Sequence, residues 1–209
     1  EQRIVPLVLA EQFGGCRPAP PPERPAAEPL QILCVSTLEP RKNHRNLLKA
    51  LAWLHSQGLR HWQFHLVGWA ADQAVATCVE RAISCGLPVQ WHQHTDDTEL
   101  EALYQRSDFT VYPSLEEGFG LPVAESLWQR RPCLCSGEGA LGERAAQGGC
   151  LTVNTTLWQA IAGGLRVLLT DPNRRQDLIR ETEHRPFRTW QNVATHLISE
   201  LERAPAQKA

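Results

Sequence analysis

An α/β fold, a doubly wound parallel sheet of about six strands covered by helices, is what this sequence predicts, and three observations carry it. From Leu30 onward, apolar runs of strand length alternate with amphipathic stretches of helix length. The 209 residues suffice for one sizeable core, so one domain plus a tail is the default. No repeat of solenoid period is visible, and low complexity is confined to a Pro-rich stretch near the start.

That stretch, residues 17–29 (RPAPPPERPAAEP), holds too much Pro for a helix or a central strand. It reads as an extended linker or the end of a preceding domain, with a boundary near Leu30 and one domain over 30–205. Before it, Ile4–Leu9 reads either as a short strand or as part of a preceding domain. The first strand, Ile32–Ser36, leads into a helix over 43–57. The second, Gln63–Val67, precedes a helix over 71–86, and the third, Val89–His92, one over 97–106. Phe109–Tyr112 and a helix over 120–129 follow, then Pro132–Cys135 with 140–147, and Cys150–Val153 with 156–169. Helices over 172–183 and 188–203 close the chain; the last carries an apolar stripe (Trp190, Val193, Leu197, Ile198, Leu201) suited to packing on the sheet or on another domain. In such a sheet the ligand crevice lies at the carboxyl ends of the strands.

Composition narrows the function classes. A net charge of -2 with mixed signs gives no electrostatic case for nucleic acid. No apolar run approaches the roughly 18 residues that span a bilayer, and nothing at the start has signal-peptide order, so the chain reads as cytoplasmic. Seven Cys without a repeated C-x-x-C suggest neither a disulfide framework nor zinc, and Cys133 and Cys135 read as small core residues. The absence of any Met points to a piece of a longer protein.

Two loops carry the chemistry. After the first strand, Ser36-Thr37-Leu38-Glu39-Pro40-Arg41-Lys42-Asn43 lacks the glycine patterns of dinucleotide folds and P-loops. It sets Arg41 and Lys42 at the mouth of a helix, where a diphosphate fits; two basic residues also suit a plain solvated helix start. After the fourth strand, Glu117-Gly118-Phe119-Gly120-Leu121-Pro122 turns into a helix, and its N–H groups face an anion. Glu117 and Glu125, eight residues apart, are too distant to share a proton or a metal ion and suit two hydroxyl-bearing parts of an elongated ligand. Asp96-Asp97 reads as a helix cap rather than a metal site. Of the eight His, His94 is the candidate to touch a base; the Trp residues read mainly as core, with Trp69 a second base contact to test.

Glu117 to Glu125 resembles the E-x7-E motif of the large family of retaining glycosyltransferases with two facing Rossmann-like domains, the GT-B enzymes of glycosyl transferases group 1. STLEPRKN (36–43) resembles that family's first donor-domain loop, and SGEGALGERAAQGG (136–149) its segment before the sixth strand. The resemblance covers about Leu30 to Glu202 and corresponds to the C-terminal half only. It implies that Glu117 touches donor-sugar hydroxyls beside the reacting carbon, that Glu125 holds both ribose hydroxyls, and that Lys42 neutralises the diphosphate. It also implies that the N–H groups of Phe119, Gly120 and Leu121, beside Gly118, hold sugar and phosphate, with the base near His94. Ser36-Thr37 stands where many members have Gly-Arg, which makes Arg41 the candidate substitute cation, and Trp128-Gln129-Arg130 replaces the usual small turn after the motif helix.

The implied activity is transfer of a hexose from a nucleotide-diphosphate sugar to a glycan or lipid-linked acceptor, without cofactor or metal, in bacterial polysaccharide synthesis of the mannosyltransferase kind. The implied partners are the donor and an N-terminal domain holding the acceptor site, without which this chain transfers little, and peripheral membrane association through the full-length protein. A nucleotide-sugar epimerase half and a non-catalytic sugar-nucleotide-binding or docking module are the competing readings.

Overall fold

The computed structural model describes residues 17–21, 24–25 and 27–203, so Ile4–Leu9 lies outside the described residues. Six parallel strands, β1 (Leu30–Val35), β2 (Trp62–Val67), β3 (Val89–His92), β4 (Phe109–Tyr112), β5 (Cys133–Ser136) and β6 (Cys150–Val153), form one sheet in the order β3-β2-β1-β4-β5-β6. Strand order reverses between β1 and β4, registered Ile32 against Phe109, and a crevice opens outside the carboxyl ends at such a switch point.

Helices cover both faces: α1 (His44–Ser56), α2 (Gln73–Ser84), α3 (Asp97–Arg106), α4 (Leu121–Trp128), α5 (Gly139–Ala145), α6 (Trp158–Thr170), α7 (Pro172–His184) and α8 (Trp190–Arg203). Strand alternation divides the core between them. Ile32, Cys34, Phe64, Leu66, Phe109, Val111 and Leu134 face one side, packed with Leu47, Leu51 and Leu54 of α1 and Leu165 and Leu168 of α6. Leu33 and Val67 face the other with Leu103 and Tyr104 of α3, as do Tyr112, Cys133 and Cys135 with Val123 and Leu127 of α4. Cys34, Cys133, Cys135 and Cys150 are buried and unbridged.

Most element boundaries fall within two residues of those the sequence predicts. β5 starts at Cys133 rather than Pro132, because Pro132 has no N–H and enters the ladder only by accepting from Thr110 N–H at 2.9 Å. α2 starts at Gln73, where the Asp72 carboxylate caps it by accepting from Val75 N–H at 2.9 Å. The Pro-rich segment is fastened to the domain: the Arg17 guanidinium donates to the carbonyls of Leu127 and Thr182 at 2.8 Å, and Arg24 bonds Asp108 at 2.7 Å. α8 buries none of its residues, and Trp190, Leu197, Ile198 and Leu201 are exposed, so its stripe does not pack on the sheet. No helix among the described residues is long and apolar enough to cross a membrane.

Candidate functional site

A cleft of about 580 Å³ opens at the carboxyl ends of β1, β2 and β4. Ser36 and Thr37 after β1, Gly68 and Trp69 after β2, Thr95 after β3, and Glu117 and Phe119–Pro122 after β4 line it, with Lys42, Tyr112 and Glu125. Ladder bonds continue past β1 and β2: Ser36 N–H donates to Val67 at 2.9 Å and Leu38 N–H to Trp69 at 3.0 Å. The close approach demands a residue without Cβ at Gly68 (φ +141°), where a Cβ would lie 2.1 Å from the Ser36 carbonyl oxygen.

A 3-10 turn, Pro40–Lys42, precedes α1 and was not legible in the sequence. It ends at Asn43 in the left-handed region (φ 61°, ψ 31°), which Asn tolerates better than most residues. The turn sends Lys42 inward, 8% exposed, where its Nζ donates to the Tyr112 hydroxyl at 2.7 Å and to Glu117 Oε1. Asn43 Nδ2 donates to the carbonyls of Pro113 at 3.1 Å and Thr155 at 2.7 Å, and Leu115 N–H donates to Arg41 at 2.8 Å. These bonds tie the loops after β1, β4 and β6 into one scaffold.

Glu117 therefore sits in a cationic setting. Burial alone would raise its pKa, but the hydrogen bond from Lys42, the Lys42 charge and the Tyr112 hydroxyl at 3.0 Å together hold it below the usual carboxylate range. Arg41 reaches Glu117 Oε2 only at 3.6 Å, is half-exposed and pairs with Glu39 at 2.7 Å, so it stands at the rim, outside the lining. Gly118 is exposed and also outside the lining.

Gly120 caps α4 in the left-handed region (φ 73°, ψ 42°), and a Cβ there would meet Leu141 Cδ2 at 2.8 Å. At the start of α4, Val123 N–H donates to the Gly120 carbonyl at 3.1 Å and Pro122 has no N–H, which leaves the N–H of Leu121, a residue lining the cleft, without an acceptor in the helix. Gly120→Ala is expected to lower unfolding free energy by about 2 kcal/mol, since a non-Gly residue forced into αL costs about 1–3 kcal/mol; urea denaturation measures it. One turn on, Glu125 accepts from the Tyr104 hydroxyl at 3.1 Å. Burial raises its pKa and that bond pulls the other way. Phe119 is held by Arg144, whose guanidinium lies 3.8 Å from the ring centroid and donates to the Phe119 carbonyl at 3.2 Å.

At the β2–β3 end the wall is Trp69, 58% exposed, with Thr95; His94 is exposed and not among the lining residues. His92 pairs with His65 (Nε2 to Nδ1, 3.2 Å), and Asp96 caps α3 by accepting from Glu99 N–H at 2.8 Å. On the floor, the Ser36 hydroxyl meets His44 Nε2 at 2.9 Å; burial first and the Lys42 charge next lower the His44 pKa to about 4, so this imidazole is neutral. Tyr104, Tyr112, His44 and Arg144 escaped sequence reading because each looks like an ordinary core or surface residue until loops distant in sequence meet it. Asn43 alone carried a local signal, an Asn immediately before a helix.

The family model for glycosyl transferases group 1 matches residues 19–185. The chain is 30% identical over 169 residues to the O-antigen chain mannosyltransferase B of Escherichia coli, covering 80% of this chain and 44% of that one. It is also 30% identical over 189 residues to a glycogen synthase of Mycobacterium tuberculosis, covering 82% and 42%. Among solved structures, the sucrose-phosphate synthase of Thermosynechococcus elongatus superposes with a TM-score of 0.71 at 23% identity over 86% of this chain and 46% of that one. The chain thus spans less than half the length of these relatives. The fold is that of one Rossmann-like half of a GT-B glycosyltransferase, as the sequence predicts. Since the family's match runs through the whole sheet and every loop that builds the cleft, the chain belongs to the glycosyl transferases of group 1.

Proposed function

We propose that the cleft binds a nucleotide-diphosphate sugar and that this chain is the donor-binding half of a retaining hexosyltransferase. The observation that carries the reading is convergence: Lys42, Glu117, Glu125 and the N-terminus of α4 share one cleft at the switch point of the sheet. Lys42 and the N–H groups of Gly120 and Leu121 meet the diphosphate, Glu117 the sugar hydroxyls, and Glu125 the ribose hydroxyls. The base lies toward Trp69 and Thr95, the apolar end of the cleft.

Transfer builds negative charge on the departing diphosphate. Donors fixed in place before the reaction stabilise that charge without reorganisation. Lys42 and the start of α4 supply the positive potential that many transferases draw from a divalent ion, so the reading takes the reaction as metal-independent. The acceptor site belongs to an N-terminal domain. The O-antigen chain mannosyltransferase relative supports mannose and polysaccharide synthesis as the finer reading, and the proposal extends to work in the cytoplasm at the inner face of the membrane.

Calorimetric titration with GDP, UDP, ADP and dTDP tests this. One nucleotide is expected to bind selectively, and Glu125→Ala to weaken it about tenfold, the loss of a charge-assisted contact of about 1.5 kcal/mol. Heat from none of the four at millimolar concentration would sink donor binding by this chain and favour a docking module.

A further inference from the structure

We propose that Tyr112 is a positioning residue: its hydroxyl, seated between Lys42 and Glu117, keeps Glu117 ionised and in place when Lys42 turns to a ligand's phosphate. The proposal rests on the donor-binding reading for the identity of that ligand, but its geometry stands independently. The hydroxyl accepts from Lys42 Nζ at 2.7 Å and donates its single proton to Glu117 Oε1 at 3.0 Å. Its ring is 2% exposed, packed with Val123, Leu127 and Cys133, and the pleat of β4 fixes it on the α4 side of the sheet, so the hydroxyl cannot swing away.

Lys42 is committed twice within the chain, to Tyr112 and to Glu117. A diphosphate that recruits its ammonium takes away the main counter-charge of a buried carboxylate. The other charged group facing Glu117 is Arg41 at 3.6 Å, half-exposed and engaged by Glu39, while the buried Ser114 hydroxyl makes no hydrogen bond to it. An exposed cation is a weak, salt-screened partner. Tyr112 is then the buried donor that remains on Oε1. Without it Glu117 would hold a proton to higher pH, and a neutral acid grips sugar hydroxyls less well than a carboxylate. The hydroxyl itself stays protonated throughout: burial first, then the Glu117 charge, holds its pKa far above the usual phenol range.

The test reads the carbon-13 shift of the Glu117 carboxyl against pH in the full chain, comparing Lys42→Met with Lys42→Met/Tyr112→Phe. The Met background mimics the ammonium turned elsewhere and needs no nucleotide. Glu117 is expected to titrate about one pH unit higher in the double variant, the size of one hydrogen bond to a charged group. Equal midpoints overturn the proposal, and a merely structural Tyr112 would move the melting temperature but not this midpoint. Should Lys42→Met not fold, Tyr112→Phe alone decides: a rise of roughly half a pH unit supports the role and an unchanged titration overturns it. A parallel arm repeats the wild-type and Tyr112→Phe titrations with saturating GDP or UDP. Absence of nucleotide binding there counts against the donor reading, while the ligand-free arms still decide the role of Tyr112.

Discussion

Lys42→Met is expected to lower nucleoside-diphosphate affinity about 100-fold, the largest functional effect of any single change in the cleft. A buried ammonium bonded to phosphate contributes about 1.5–3 kcal/mol, and 1.4 kcal/mol is a factor of ten. The substitution also strips Glu117 of its main partner. Breaking one side of a buried ion pair leaves an uncompensated charge and costs about 3 kcal/mol or more; the Tyr112 hydroxyl and the Arg41 charge bring the expected loss nearer 2 kcal/mol at neutral pH. The sign with pH follows from the lowered Glu117 pKa. The wild-type advantage is complete above the ordinary glutamate value of about 4.3 and is lost as pH falls through the lower folded value. Adding Glu117→Gln to Lys42→Met should recover most of the stability and none of the affinity. Calorimetry and urea denaturation from pH 3 to 8 check both parts; nucleotide binding by Lys42→Met at wild-type strength would remove Lys42 from the diphosphate site.

Asn43→Ala should produce the largest loss of stability, about 3 kcal/mol. Its amide satisfies two buried carbonyls, at Pro113 and Thr155, each costing about 1–3 kcal/mol when left unpaired, and Ala fits the left-handed backbone less well than Asn. For a domain of this size 1 kcal/mol moves the melting temperature by about 2–4 °C, so a fall of about 10 °C is expected by calorimetric scan. Asn43→Gly separates the causes, because it keeps the backbone permitted and removes only the hydrogen bonds. Asn43→Gly as stable as the parent would show that the loops after β4 and β6 do not depend on this amide.

The fold was legible because strand and helix follow from periodicities local in sequence. β3, β4 and β6 have the bounds their apolar runs predict, and the misplaced start of β5 traces to one proline whose missing N–H bars it from donating to the ladder. The E-x7-E spacing with its flanking glycines, and the basic loop after the first strand, were equally local, so Lys42, Glu117, Phe119, Gly120, Leu121 and Glu125 were each legible, and they are found together in the cleft. Arg41 illustrates the limit. In sequence it is as basic as Lys42 and one residue nearer the strand, and only the 3-10 turn directs one inward and the other to the rim.

What the sequence determined by itself, then, was an α/β sheet with a ligand crevice at its carboxyl ends and the residue types facing that crevice, because periodicity, glycine placement and charge act over a few residues. The partners were decided by tertiary structure alone: Tyr112 against Lys42 and Glu117, Tyr104 against Glu125, Asn43 against Pro113 and Thr155, His44 against Ser36. Most of these bonds join elements far apart in the chain. Whether a hydroxyl or an amide meets its acceptor there depends on how the sheet orders its strands and how closely the loops above it approach, which no local pattern encodes.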